Sequence, residues 1–112
     1  MKIEGNTITF KSWPHNYKLE KRGLKPATVR ILTNDEEQAA VHAFSGNYYL
    51  FRHINTPRPK IRIVVAGTEK AYFERELLSI EKVGEILNAE IWLFCWRHEP
   101  ESISGGDAHN DR

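Results

Sequence analysis

Ile3, Thr7, Ile8, Thr9 and Phe10 are residues that fit a pleated, half-buried surface, and they predict a first strand over residues 3–10. Ser12 and Pro14 read as a helix start, the serine as cap and the proline in the first turn, where its missing N–H costs nothing. Gly23 stands where a left-handed residue would end that helix, and Trp13, Tyr17 and Leu24 are expected to face inward. Thr28 to Leu32 predicts a second strand. Thr33-Asn34-Asp35-Glu36 then has the form of a capping box, opening a helix that ends near Gly46. Tyr48 to Phe51 is a short apolar run of strand formers, and Pro57 and Pro59 force an exposed connection after it. Ile61 to Val65 predicts another strand and Gly67 to Lys70 a turn. Tyr72 to Val83 predicts a long strand running back antiparallel, although Glu74 to Leu78 alone also suits a helix. In Ala89 to Trp96, Ile91, Leu93 and Cys95 alternate with Trp92, Phe94 and Trp96, and apolar side chains on both faces mark a central or closing strand.

Short strands with two helices inserted early predict an α+β domain over residues 1–97. The expected architecture is a small, partly closed antiparallel β-barrel, because closure hides the edges that such strands otherwise expose. Beyond Arg97 the chain has Pro100, Gly105 and Gly106 with only Ile103 of any size, so residues 98–112 are expected to be a disordered tail.

Composition narrows the class. A hydrophobic fraction of 40% with 28% charged residues is that of an ordinary globular domain, and no apolar run is long enough to span a bilayer. No membrane association is expected. Met1-Lys2-Ile3-Glu4-Gly5 lacks the apolar stretch of a secretory signal, which makes a cytoplasmic location the expectation. The single cysteine, Cys95, excludes an internal disulfide and a Cys-rich zinc site. His15, His42, His53, His98 and His109 show no pair at metal-ligand spacing, so neither metal nor cofactor is expected. The net charge of +1 conceals clustering: Lys11, Lys18, Lys21, Arg22, Lys25 and Arg30 stand against Glu20 alone, and Arg52, Arg58, Lys60 and Arg62 follow with no acid among them. If these stretches share a face, an anionic partner is favoured.

The most informative segment is Trp13 to Arg30. After the helix end at Gly23, Lys25, Thr28 and Arg30 lie on a turn and a strand start, where two cations and a hydroxyl can serve phosphate or carboxylate. The same residues also fit a C-capped helix followed by a strand with exposed cations. Gly23-x-Lys25-x-x-Thr28-x-Arg30 resembles the Gly-x-Lys-x-x-Thr-x-Arg signature of the ASCH group in the PUA-like superfamily, placed as there after a first strand and a short helix. The longer run from Trp13 to Arg30 is similar to small proteins of Firmicute bacteria and their phages. The resemblance covers roughly the first third of the chain. It implies a PUA-like barrel with a cleft near the motif that binds RNA, a modified nucleoside or a nucleotide. It also implies, as an alternative, an amidohydrolase of an acylated nucleoside such as N4-acetylcytidine. There Lys25 takes the proton from Thr28, which attacks the amide carbonyl, and a glutamate handles the leaving-group proton.

Glu81 is the candidate glutamate because its strand parity groups it with Leu77 and Val83; Glu76 is the substitute. Trp13 and Tyr49 are candidate walls for a stacked base, and Arg52 and Arg62 candidate further ligand contacts beside Lys25, Thr28 and Arg30. A third expectation is a phage or mobile-element accessory protein that binds a host protein, whose sign is a large exposed apolar patch away from Lys25.

Overall fold

The computed structural model describes residues 1–51, 58–67 and 71–97. The expected tail, and with it Arg52, lies outside the described residues. The chain is α+β: six strands form one mixed sheet, with two helices.

The first predicted strand is two, β1 (Lys2–Glu4) and β2 (Thr7–Ser12), paired antiparallel with Glu4 opposite Thr7. Gly5 supplies the left-handed φ of 59° that a two-residue hairpin loop requires at its first position. Ile8, Phe10 and Ser12 alternate inward along β2. Helix α1 (Pro14–Lys21) follows, with Pro14 in its first turn, but the residue at its N-cap is Trp13 and no side chain caps it. Ser12, expected as the cap, is instead the buried last residue of β2. Tyr17 faces inward as predicted, whereas Trp13 and Leu24 are 73% and 68% exposed.

Strand β3 (Ala27–Leu32) lies where the sequence predicts it. Helix α2 (Asp35–Phe51) is capped by Asn34, one residue after the Thr33 that opens the predicted capping box: Asn34 Oδ1 accepts the N–H groups of Glu36 and Glu37 at 2.8 and 3.2 Å. Rather than ending near Gly46 it continues to Phe51, absorbing the run predicted as a strand. The reason is spacing: Val41, Phe44 and Tyr48 form a stripe at helical period, all buried in the core.

Strands β4 (Lys60–Val65), β5 (Tyr72–Ile86) and β6 (Ala89–Trp96) complete the sheet, in the order β1-β2-β4-β5-β6-β3. The β2–β4 pair is parallel and all others antiparallel, so the sheet is mixed rather than wholly antiparallel as expected. The path between β2 and β4 passes through both helices and β3, a long crossover of the kind that parallel pairing needs. The ladder ends at β1 and β3, which do not pair, so the sheet is not closed into the expected barrel. Ile8, Ile61, Ile63, Leu77, Ile80 and Phe94, each at most 1% exposed, form the centre of the core.

Strand β5 contains register shifts between Leu77 and Ser79 and between Lys82 and Gly84. The first moves side-chain parity by one, so Leu77 and Ile80 are both buried. Two tyrosines of α2 serve the backbone there. The Tyr48 hydroxyl donates to Leu77 O at 3.3 Å and to Leu78 O, and the Tyr49 hydroxyl donates to Ile80 O at 2.9 Å.

Candidate functional site

The turn after α1 is set by backbone hydrogen bonds. Gly23 N–H donates to Glu20 O at 3.2 Å and Leu24 N–H to Leu19 O at 3.0 Å, the paired bonds of a Schellman motif, and Gly23 takes φ 79°. Lys25 N–H also reaches Leu19 O, at 3.1 Å, so the chain doubles back over the last turn of the helix. That return carries Lys25 Nζ to 3.7 Å from Glu20 Oε2.

Glu20 lies on the same stripe of α1 as buried Tyr17, three residues on, and is itself 1% exposed. Among the described residues neither of its carboxylate oxygens accepts a hydrogen bond. Sequence reasoning passed over Glu20 as the lone acid in a basic stretch. Its spacing from Tyr17 was the signal available.

Thr28 and Arg30 point inward from β3, level with Phe94 and Trp92 of β6. The Thr28 side chain is buried, and its Oγ accepts from Arg30 Nε at 3.1 Å. Arg30 Nη1 donates to Lys11 O at 2.7 Å and Nη2 to Ser12 Oγ at 2.9 Å, with the guanidinium 4.8 Å over the Phe10 ring. One side chain therefore ties β3, at one end of the sheet order, to β2 near the other. Burial pushes the Arg30 pKa down from its ordinary value and the Glu20 charge opposes that shift, which places Glu20 within electrostatic reach of both motif cations.

Comparison with family models, with curated proteins and with solved structures gives no match. The site is therefore defined by its geometry.

That geometry brings Lys25, Thr28 and Arg30 together with Ser12 and Glu20. Trp13 adjoins the cluster through Ser12. The other expected residues lie elsewhere. Glu81 is exposed and pairs with Leu93 on the opposite face of the sheet from Thr28, because the bulge after Leu77 reverses the parity on which its inward placement was argued. Glu76 pairs with Arg58 at 3.1 Å. Arg62 points away from buried Ile61 and Ile63, donates to Glu74 Oε2 at 3.0 and 2.8 Å, and lies 4.8 Å over the Tyr72 ring. The Tyr49 hydroxyl is engaged at Ile80.

A second charged cluster sits under α2. Glu90 accepts from Trp92 Nε1 at 3.1 Å and lies 3.1 Å from His42 Nε2 and 3.3 Å from Lys82 Nζ. Hydrogen bonding to His42, against some desolvation and with help from Trp92 and Lys82, holds its carboxyl down at about 2. Among the described residues no three His, Cys, Asp or Glu side chains are grouped as a metal would require. Likewise, no helix of the described residues is long and apolar enough to cross a membrane.

Proposed function

We propose that the chain is a small PUA-like module that binds RNA, a modified nucleoside or a nucleotide at the turn between α1 and β3. The observation that carries this reading is the convergence of Lys25, Thr28 and Arg30 on one cluster, with the exposed Trp13 indole following Ser12 in the chain. Lys25 supplies the charge, since its ammonium is partly exposed and loosely held by Glu20. Trp13 supplies a flat face for a base, worth about 1–3 kcal/mol per stacked base. Arg30, reaching from edge strand β3 to Lys11 and Ser12 at the end of β2, fits a barrel closed by side chains.

Titration of the full chain with short RNAs and nucleosides tests the reading. Lys25→Ala is expected to weaken binding and to lower its salt dependence by about one charge. Binding unchanged by Lys25→Ala, or absent for every probe, overturns it.

Two alternatives draw on particular observations. The amidohydrolase reading gains a carboxylate, because Glu20 rather than Glu81 accompanies Lys25. Against it stands the Thr28 hydroxyl, buried and accepting from Arg30. Hydrolysis of N4-acetylcytidine that Thr28→Ala abolishes would establish it. The protein-partner reading gains exposed apolar side chains, Val29 and Ile31 of edge strand β3 at 56% and 64% and Val83 of interior strand β5 at 53%.

A further inference from the structure

The buried acid beneath the motif constrains the ligand. The Lys25 ammonium lies 3.7 Å from the carboxylate of buried Glu20, so a second negative charge brought to Lys25 also approaches that acid. A buried charge needs a matching partner, and an unmatched one is expensive in either direction. Of the neighbouring cations, Lys18 and Arg22 are exposed, and Arg75 lies over Phe73 with its donors at Glu74 O and Lys21 O.

Donor supply points the same way. Three of the five N–H donors of Arg30 are spent on Thr28 Oγ, Lys11 O and Ser12 Oγ, while the Lys25 ammonium is partly exposed at the turn, engaged by Glu20 at 3.7 Å. A phosphomonoester presents three charged oxygens and is normally met by several donors, often a bidentate arginine. The C-terminal end of α1 also directs its partial negative charge at the turn that holds Lys25, opposing a second negative charge there.

We infer that the motif is matched to a monoanionic phosphodiester, the linkage of a nucleic-acid strand, rather than to the dianionic phosphate of a mononucleotide, and that Glu20 sets this preference. The inference rests on the nucleic-acid reading proposed above. Glu20 is here a specificity-determining residue that acts through Lys25 and Arg30 without touching the ligand.

The test compares adenosine 5′-monophosphate with its methyl ester, which share base and sugar and differ by one charge at pH 8. Calorimetric titration of the wild-type chain is expected to give the ester about tenfold tighter binding, roughly 1.4 kcal/mol. Glu20→Gln, which keeps shape and removes charge, is expected to erase or reverse that ratio by strengthening monophosphate binding. Equal affinity, or a wild-type preference for the dianion, overturns the inference and leaves the nucleotide-binding reading standing. Failure of both ligands and of adenosine to bind overturns the two together. The wild-type ratio decides even where Glu20→Gln does not fold.

Discussion

Replacing Arg30 by methionine keeps an unbranched side chain over Phe10 and removes the link between β3 and β2. Three donated hydrogen bonds disappear, to Thr28 Oγ, Lys11 O and Ser12 Oγ, at 3.1, 2.7 and 2.9 Å. Hydrogen bonds from a charged group contribute about 1.5–3 kcal/mol each, and the low end applies because Arg30 is only partly buried. The sum is smaller than three independent bonds, since the three act from one group. Thr28 and Ser12, both buried, lose a partner, and Glu20 loses the nearby charge of Arg30. Arg30→Met is therefore expected to destabilise the domain by about 2–4 kcal/mol, a large fraction of a typical total of about 5–15 kcal/mol. Arg30→Lys, which keeps the charge but not the planar fork, should cost about 1–2 kcal/mol. Urea denaturation followed by far-ultraviolet circular dichroism measures both, with the m-value expected to stay constant. A loss below about 0.5 kcal/mol in Arg30→Met would refute the role of Arg30 as a tie between β3 and β2. If that variant were as stable as wild type yet bound no nucleotide, Arg30 would be a ligand contact instead.

Three further expectations follow from single features. The Glu90 carboxyl is held at about 2, below its ordinary 4.5, so its stabilising contribution is full above pH 4.5 and is lost as pH falls from about 4.5 to about 2; Glu90→Gln should flatten the acid limb of a stability–pH profile in that window. Leu87 holds φ 54° in the loop between β5 and β6 at 95% exposure, and Leu87→Gly is expected to raise stability by up to about 1 kcal/mol by relieving the left-handed backbone, read from the denaturation midpoint. Trp13→Ala, at a side chain 73% exposed, should leave the melting temperature within about 2 °C while weakening binding of short RNAs, which fluorescence titration would detect.

How far the sequence foretold this fold depends on whether local pattern or long-range packing decides each element. Strand β3, the strands around Ile61 and Trp92, and Pro14 in the first turn of α1 all follow from local chemistry, as does the left-handed Gly23. The run from Tyr48 to Phe51 did not. Its residues favour strands, but Tyr48 continues the stripe of Val41 and Phe44, and its hydroxyl meets the bulged backbone of β5. Ser12 has the chemistry of a helix cap, but long-range contacts hold it at the end of a strand: it pairs with Val65 of β4, its O accepts from Ala66 N–H, and its Oγ accepts from Arg30. Glu81 was misplaced by a bulge that strict alternation does not reveal. The parallel β2–β4 pair brings together segments separated by two helices and a strand, a relation without a local signature.

The motif itself divides along the same line. Of the two readings open at the level of sequence, a ligand clamp and a capped helix followed by a strand, the second accounts for most of the signature and the first is proposed for Lys25. Gly23 is explained by the Schellman turn, and Thr28 and Arg30 by their bond to each other and by the ties from Arg30 to β2. Lys25 alone of the four is cationic, partly exposed and weakly engaged, 3.7 Å from a carboxylate that accepts no hydrogen bond among the described residues. A structure organised only for stability gains little from that arrangement, because a buried acid with no hydrogen bond and a distant cation is costly compared with an apolar residue of similar size. That retained cost is what supports the proposed ligand role of Lys25 and Glu20, with the rest of the signature holding them in place.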